Sequence, residues 1–245
     1  MLLSGYALAA EPIDIIYLGH SCFIIQAADG PIIMLDPYAS YVPYPALPQP
    51  ADIVLMTHSH IDHCPSCYGE DDRILGDPVE VKPWDRMGRV QNREILVADE
   101  LLVEVTGASH VTTTGGGAGY VALFSFEVGG LRFAHLGDLG KVLTDEQIAV
   151  LGDVDVLFIP IGGAFTIDAS EALTVIDQLP SVSIVFPMHY GVKGITPWPT
   201  IAPLSDFTQL ARSTHTLVVQ ETYQVSIDAE DLPETTEIWI LDYME

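Results

Sequence analysis

Along the first quarter of the chain, apolar residues alternate with polar ones or gather in short unbroken runs. These are the patterns of half-buried and fully buried strands. Ile13–Tyr17, Ser21–Ala27 and Ile32–Leu35 predict three strands, separated by turns at Gly19 and at Asp29-Gly30. Tyr38–Pro50 carries four prolines and three tyrosines and predicts a loop. Ile53–Met56 is a short apolar strand that leads into Thr57-His58. Further strands are expected at Leu101–Val105, Tyr120–Val128, Leu131–Ala134, Val156–Ile159, Ile184–Phe186, Thr216–Ile227 and Glu237–Leu241. Helices are fewer. Asp168 and Glu171 have capping-box spacing ahead of Ala172, Leu173, Ile176 and Leu179 on one face, and Pro180 stops the run. Thr144 and Gln147 start a shorter helix by the same logic. Hairpins mixed with isolated helices predict layered sheets with helices outside them. No repeat, linker or low-complexity tract interrupts the chain, so residues 1–245 are expected to form one domain.

Composition narrows the partners. Asp and Glu number 34 against 9 Lys and Arg, a formal charge of −25. That field repels phosphate backbones and anionic lipid, so long nucleic acid and membrane surfaces are disfavoured as partners. No apolar run approaches the ~18 residues of a membrane span. A small-molecule substrate is the expected partner, and a homo-oligomer is compatible with the chain. Residues 1–10 look like the tail of an export signal but contain no basic residue, and a cytoplasmic location is expected.

Candidate chemistry is concentrated in Thr57-His58-Ser59-His60-Ile61-Asp62-His63, where four potential metal ligands occupy six positions. His58 and His60 are two apart, so an extended backbone points both the same way. Asp62 and His63 face the same cavity once the chain turns. Mixed imidazole and carboxylate donors suit zinc, manganese or iron better than calcium or magnesium. Three more candidates occupy strand ends or the loops beyond them. His110 follows the strand Leu101–Val105, ahead of the Thr/Gly-rich loop Thr112–Gly119. Asp138 lies in Leu136-Gly137-Asp138-Leu139-Gly140 after Leu131–Ala134, and His189 follows Ile184–Phe186.

The order His-x-His-x-Asp-His, a lone His, Gly-Asp-x-Gly and a late His after a strand resembles the metallo-β-lactamase superfamily. The resemblance runs from Leu18-Gly19-His20-Ser21 through the His189 region. Pro160–Thr166 and Met188-His189-Tyr190-Gly191 resemble the branch of ascorbate-6-phosphate-lactonase-like and uncharacterised metal-dependent hydrolases. The resemblance implies an α/β fold, a four-layer αββα sandwich with the metal site at one edge between the sheets. It also implies two divalent metal ions, zinc or manganese. His58, His60 and His110 would hold the first, and Asp62, His63 and His189 the second, with Asp138 bridging. Both His20 and Asp36 would lie near the metals, and Asp36 could fix the tautomer of a ligand imidazole.

The function expected is therefore a dinuclear metal-dependent hydrolase, in which the metals activate a bridging water against an ester, lactone or phosphodiester. Asp62 is the candidate catalytic residue, orienting that water and taking up its proton. A metal-dependent redox protein is the rival, but the redox relatives replace some histidines with acidic ligands and add a flavin domain. A small-nucleotide phosphodiesterase is the other alternative. His135 is expected to be a supporting or core residue rather than a ligand, and His215 a surface residue. Lys82, Arg86, Arg89 and Arg93 read as a solvated or subunit-facing stretch, with an anion subsite as the sharper alternative. Cys64-Pro65-Ser66-Cys67 has redox-dithiol spacing but no thioredoxin-like strand-then-helix start, so it reads as two incidental thiols.

Overall fold

The computed structural model describes residues 11–45, 50–110 and 119–244. The chain opens with β1 (Ile13–Gly19), β2 (Cys22–Ala27), β3 (Ile33–Leu35), β4 (Ile53–Leu55) and β5 (Val79–Val81). β6 (Arg93–Val97), β7 (Leu101–His110), β8 (Gly119–Val128) and β9 (Leu131–His135) follow. Then come α1 (Asp145–Leu151), β10 (Val156–Pro160), α2 (Ala169–Gln178), β11 (Ile184–Met188) and α3 (Leu204–Ala211). β12 (Thr216–Gln220), β13 (Gln224–Ile227) and β14 (Glu237–Leu241) complete it.

Two mixed sheets result. The first has the order β13-β1-β2-β3-β4-β5 and the second β12-β14-β11-β10-β9-β8-β7-β6. Period-two alternation decides which side chains meet. Ile13, Ile15 and Tyr17 of β1 join the core shared with the second sheet, while Ile16 and Leu18 enter a separate apolar cluster. Phe23 of β2 meets Phe158 of β10 with ring centroids 4.4 Å apart, and Phe158 stacks on Phe186 of β11 at 5.4 Å. Helix α1 packs on β7 and β8, α2 on α3, and α3 on β12. This is the α/β sandwich expected. The cluster behind the first sheet includes Tyr38, Val42, Cys64 and Ile74, which lie in loops and short 3-10 turns.

Both capping boxes form. Asp168 Oδ1 accepts from Ser170 N–H and Glu171 N–H, while Glu171 returns a bond to Asp168 N–H. Thr144 and Gln147 make the equivalent reciprocal pair.

Three expectations need correction. The run Thr216–Ile227 is two strands, β12 in the second sheet and β13 in the first, because Glu221–Tyr223 turns the chain between them. Tyr223 C=O accepts from Tyr17 N–H and Thr222 C=O from Asp242 N–H, which fixes that crossing. His110 lies inside β7, whose pairing with β8 continues to His110 opposite Gly119. The small residues of Gly107-Ala108-Ser109 disguise a strand that tertiary pairing completes. Leu204–Ala211 is helical, and the edge strands β5 and β6, of three and five residues, are too short to establish a period in the sequence. Among the described residues no helix is long and apolar enough to cross a membrane. Residues 1–10, 46–49 of the expected loop Tyr38–Pro50 and 111–118 of the Thr/Gly-rich loop lie outside the described residues.

Candidate metal centre

Strand direction gathers the site. β9, β10 and β11 pair in parallel, so the segments following β9 and β11 leave one edge of the second sheet. β7 runs antiparallel to β8 and β8 to β9, which brings the end of β7 to that same edge. In the first sheet β3 and β4 are parallel, and Asp36 and Thr57–His63 leave them side by side. All seven candidate ligands therefore meet at one end of the sandwich, although up to 131 positions separate them (58 to 189).

Asp36 organises the turn after β4. Its buried carboxylate accepts Thr57 N–H at 2.7 Å and Thr57 Oγ1–H at 2.6 Å, and His63 Nδ1 lies 2.8 Å away. A carboxylate only accepts, so His63 Nδ1 must donate, leaving Nε2 as the ring atom turned to the site. Thr57 spends its hydroxyl proton on Asp36, so its oxygen is free to accept from His58 Nδ1, 3.0 Å away. His58 likewise turns a bare Nε2 inward. Gly137 makes this possible on the opposite side. A Cβ there would stand 2.6 Å from Thr57 Oγ1, and the residue's φ of +47° favours glycine.

Two donor sets adjoin. In the first, His58 Nε2 is 3.0 Å from His60 Nδ1, which is 3.2 Å from His110 Nε2. In the second, His20, Asp62, His63 and His189 present donor atoms within 4.8 Å of one another. Asp138 belongs to both. Its Oδ2 lies 3.3 Å from His110 Nε2 and 3.7 Å from His58 Nε2. Its Oδ1 lies 3.1 Å from His63 Nε2 and 3.3 Å from His189 Nε2.

The donor chemistry fits metal ions. Four ligands placed tetrahedrally at zinc–nitrogen bond lengths stand about 3.4 Å from one another, close to the separations seen here. His63 Nε2 and Asp138 Oδ1 are buried without a hydrogen-bond partner, an unfavourable arrangement that a cation would relieve. The donor side chains are buried except that of His60, which is exposed.

Electrostatics follow burial and neighbours. Burial, then the neighbouring His63, push His58 well below the usual imidazole range. Burial and His110 lower His60. For His63 burial acts downward, but Asp138, Asp62 and Asp36 outweigh it and hold the ring well above its ordinary value. Burial would raise Asp62 and Asp138, yet the surrounding histidines win and keep both carboxyls low. His20 is lowered to about 4 by burial and by His189, although Asp62 opposes the shift.

Residues outside the seven also take their places. His20 Nε2 sits 2.9 Å from Asp62 Oδ2, within the second donor set. His135 is fully buried and is no member of either set; its Nδ1 accepts from Gly137 N–H and its Nε2 faces Ser21 C=O at 3.0 Å. It braces the Gly-Asp turn. His215 was expected at the surface, but its side chain is mostly buried, 3.9 Å from Asp177 and away from both donor sets. Thr57 was not legible as a site residue, and its position directly before His58 is the one signal available. Cys64 and Cys67 are not free thiols but a disulfide one residue beyond His63, because the 3-10 turn Pro65–Tyr68 brings the two sulfurs together. In the basic stretch, Lys82 pairs with Glu80 and Arg89 with Asp85.

A beta-lactamase superfamily domain model matches residues 14–189, a span holding every residue of both donor sets. The chain belongs to the metallo-β-lactamase superfamily. A UPF0173 protein from Pyrococcus abyssi is 32% identical over 193 residues, covering 74% of this chain and 84% of that relative. A UPF0173 metal-dependent hydrolase from Carboxydothermus hydrogenoformans is 28% identical over 209 residues, 77% of this chain and 87% of its own. Among solved structures, a candidate Zn-dependent hydrolase of the superfamily from Thermotoga maritima matches with a TM-score of 0.69 and 25% identity. That match covers 95% of this chain and 100% of the other.

Proposed function

We propose that this chain is a metal-dependent hydrolase that holds two divalent ions, zinc or manganese, and cleaves an ester, lactone or phosphodiester bond in a small molecule. The observation that carries this reading is Asp138, whose two carboxylate oxygens face separate histidine sets. His58, His60 and His110 would hold one ion, and Asp62, His63 and His189 the other. The relatives named metal-dependent hydrolases support the same reading.

Bound ions of this kind supply an acidified water and polarise the oxygen of the scissile bond. The chain's own groups do the rest. Asp36 and Thr57 fix the tautomers of His63 and His58, so that both rings present lone pairs to the site. His20 occupies Asp62 Oδ2, leaving Oδ1 to accept a hydrogen bond from the attacking water and to take its proton. The surrounding histidines keep the Asp62 carboxyl low, so it is ionised and can accept a hydrogen bond from that water.

Metal analysis of the purified chain, joined to a panel of esters, lactones and phosphodiesters, tests this. About two equivalents of zinc or manganese and turnover of at least one substrate class are expected. A chain that binds no metal, or binds it and cleaves nothing on the panel, refutes the reading.

A further inference from the structure

Three loops beside the site each send one aromatic ring to the same place. Tyr41 follows the Asp36 turn, Phe165 lies between β10 and α2, and Trp198 lies between His189 and α3. Trp198 is the hub. Its ring stacks on His20 at 5.6 Å, meets Phe165 edge-on at 6.4 Å and leans on Tyr41 at 6.1 Å.

The backbone ties each loop to the metal-site turns. Ala39 N–H donates to Ile61 C=O inside the ligand motif, and Ile167 N–H donates to Leu139 C=O beside Asp138. Gly191 N–H donates to Ala202 C=O, and Ala202 N–H to Gly162 C=O, lacing the Phe165 and Trp198 loops together. The rings are therefore held in advance rather than assembled by a ligand. Yet they are not core: Tyr41 is 57% exposed, and Phe165 and Trp198 are half-buried. Trp198 also forms a wall of a cleft of about 330 Å³ with Val192, Ile201 and Pro203. Lys193 is the one charged residue among those lining it.

We propose that Tyr41, Phe165 and Trp198 form the subsite for a planar aromatic group of the substrate. This rests on the hydrolase reading above and narrows it to aryl-bearing esters, lactones or phosphodiesters. Offset and edge-to-face packing favours a flat ring over a saturated one of equal size. Lys193 is the one cation lining the cleft beside Trp198, so this end of the site offers a second anionic group of the substrate little to bind.

Binding can be tested without bond cleavage. NMR titration of the metal-loaded full chain would compare 1-naphthylmethanol with its saturated counterpart, decahydronaphthylmethanol. The aromatic probe is expected to bind about tenfold more tightly, and Trp198→Ala or Phe165→Ala to erase that preference. Tyr41→Ala changes an exposed side chain and should reduce it about threefold without affecting folding. Equal affinity for the two probes in the unmodified chain overturns the proposal. So does an unchanged preference in Trp198→Ala or Phe165→Ala when melting temperature and metal content match the unmodified chain. If Trp198→Ala or Phe165→Ala fails to fold, Tyr41→Ala decides alone, an unchanged preference counting against the subsite. An enzyme inert on the whole panel would sink the hydrolase reading instead, since these probes contain no cleavable bond.

Discussion

At Asp36 one buried carboxylate takes hydrogen bonds from Thr57 N–H, Thr57 Oγ1–H and His63 Nδ1–H. Asp36→Ala leaves those donors buried and unpaired, a loss of about 3 kcal/mol of stability by chemical denaturation. Metal affinity should fall about 10- to 100-fold in the same variant, because the His63 tautomer is no longer fixed. Isothermal titration would read that loss. Asp62→Asn separates ligand from base. An amide still offers an oxygen but takes up no proton, so most of the metal should remain while kcat falls by about 100-fold or more. Near-normal turnover with two ions bound would show that Asp62 only ligates. His58→Ala and Asp138→Ala should lose metal and activity together. Protonation sets the sign of the pH dependence. Asp138, Asp62 and Asp36 hold His63 above its usual range, so a metal must displace its proton. Affinity should therefore weaken as pH falls, by about tenfold per unit for each proton released, with proton release seen in an unbuffered dye assay. At this scale the ligand types were legible from His58-x-His60-x-Asp62-His63 alone. Thr57 was not, since threonine at a strand end is ordinary and its meaning comes from Asp36 across the sheet.

Among the elements, the turn between β9 and α1 is the most constrained. Gly137→Ala places a methyl against Thr57 Oγ1 in a backbone conformation that alanine resists. A loss of about 2 kcal/mol or more is expected, together with displaced Asp138 and reduced metal content. A variant with full metal content and unchanged stability would show that the turn relaxes freely. The Cys64–Cys67 disulfide closes the turn directly after His63. Replacing both by serine should cost about 1–2 kcal/mol, the low end for a cross-link of so few residues. Helices α1 and α2 were readable because capping boxes are local, formed by residues three apart. β5 and β6 were not, because runs of three and five residues are too short to establish a period. The run Thr216–Ile227 misled for a related reason. Strand propensity continues through it, but only packing assigns its halves to different sheets.

For the molecule as a whole, the charge of −25 sets the response to salt. Self-repulsion is screened as ionic strength rises, so the melting temperature should increase by a few degrees between dilute buffer and about 0.5 M sodium chloride. A flat or falling curve would mean that the carboxylates are already compensated by bound cations. The sequence by itself determined the donor chemistry, the strand-and-helix inventory and the acidic field, because each depends on residue identity or on spacing along one segment. It also marked His110, Asp138 and His189 as strand-end residues, whose grouping followed only from the resemblance to a known pattern of motifs. Tertiary structure decided which donors meet, that one carboxylate faces both histidine sets, that Cys64 and Cys67 join, and that Tyr41 and Phe165 both meet Trp198. Those outcomes depend on distances between segments far apart in the chain, and strand direction and register set such distances across two packed sheets.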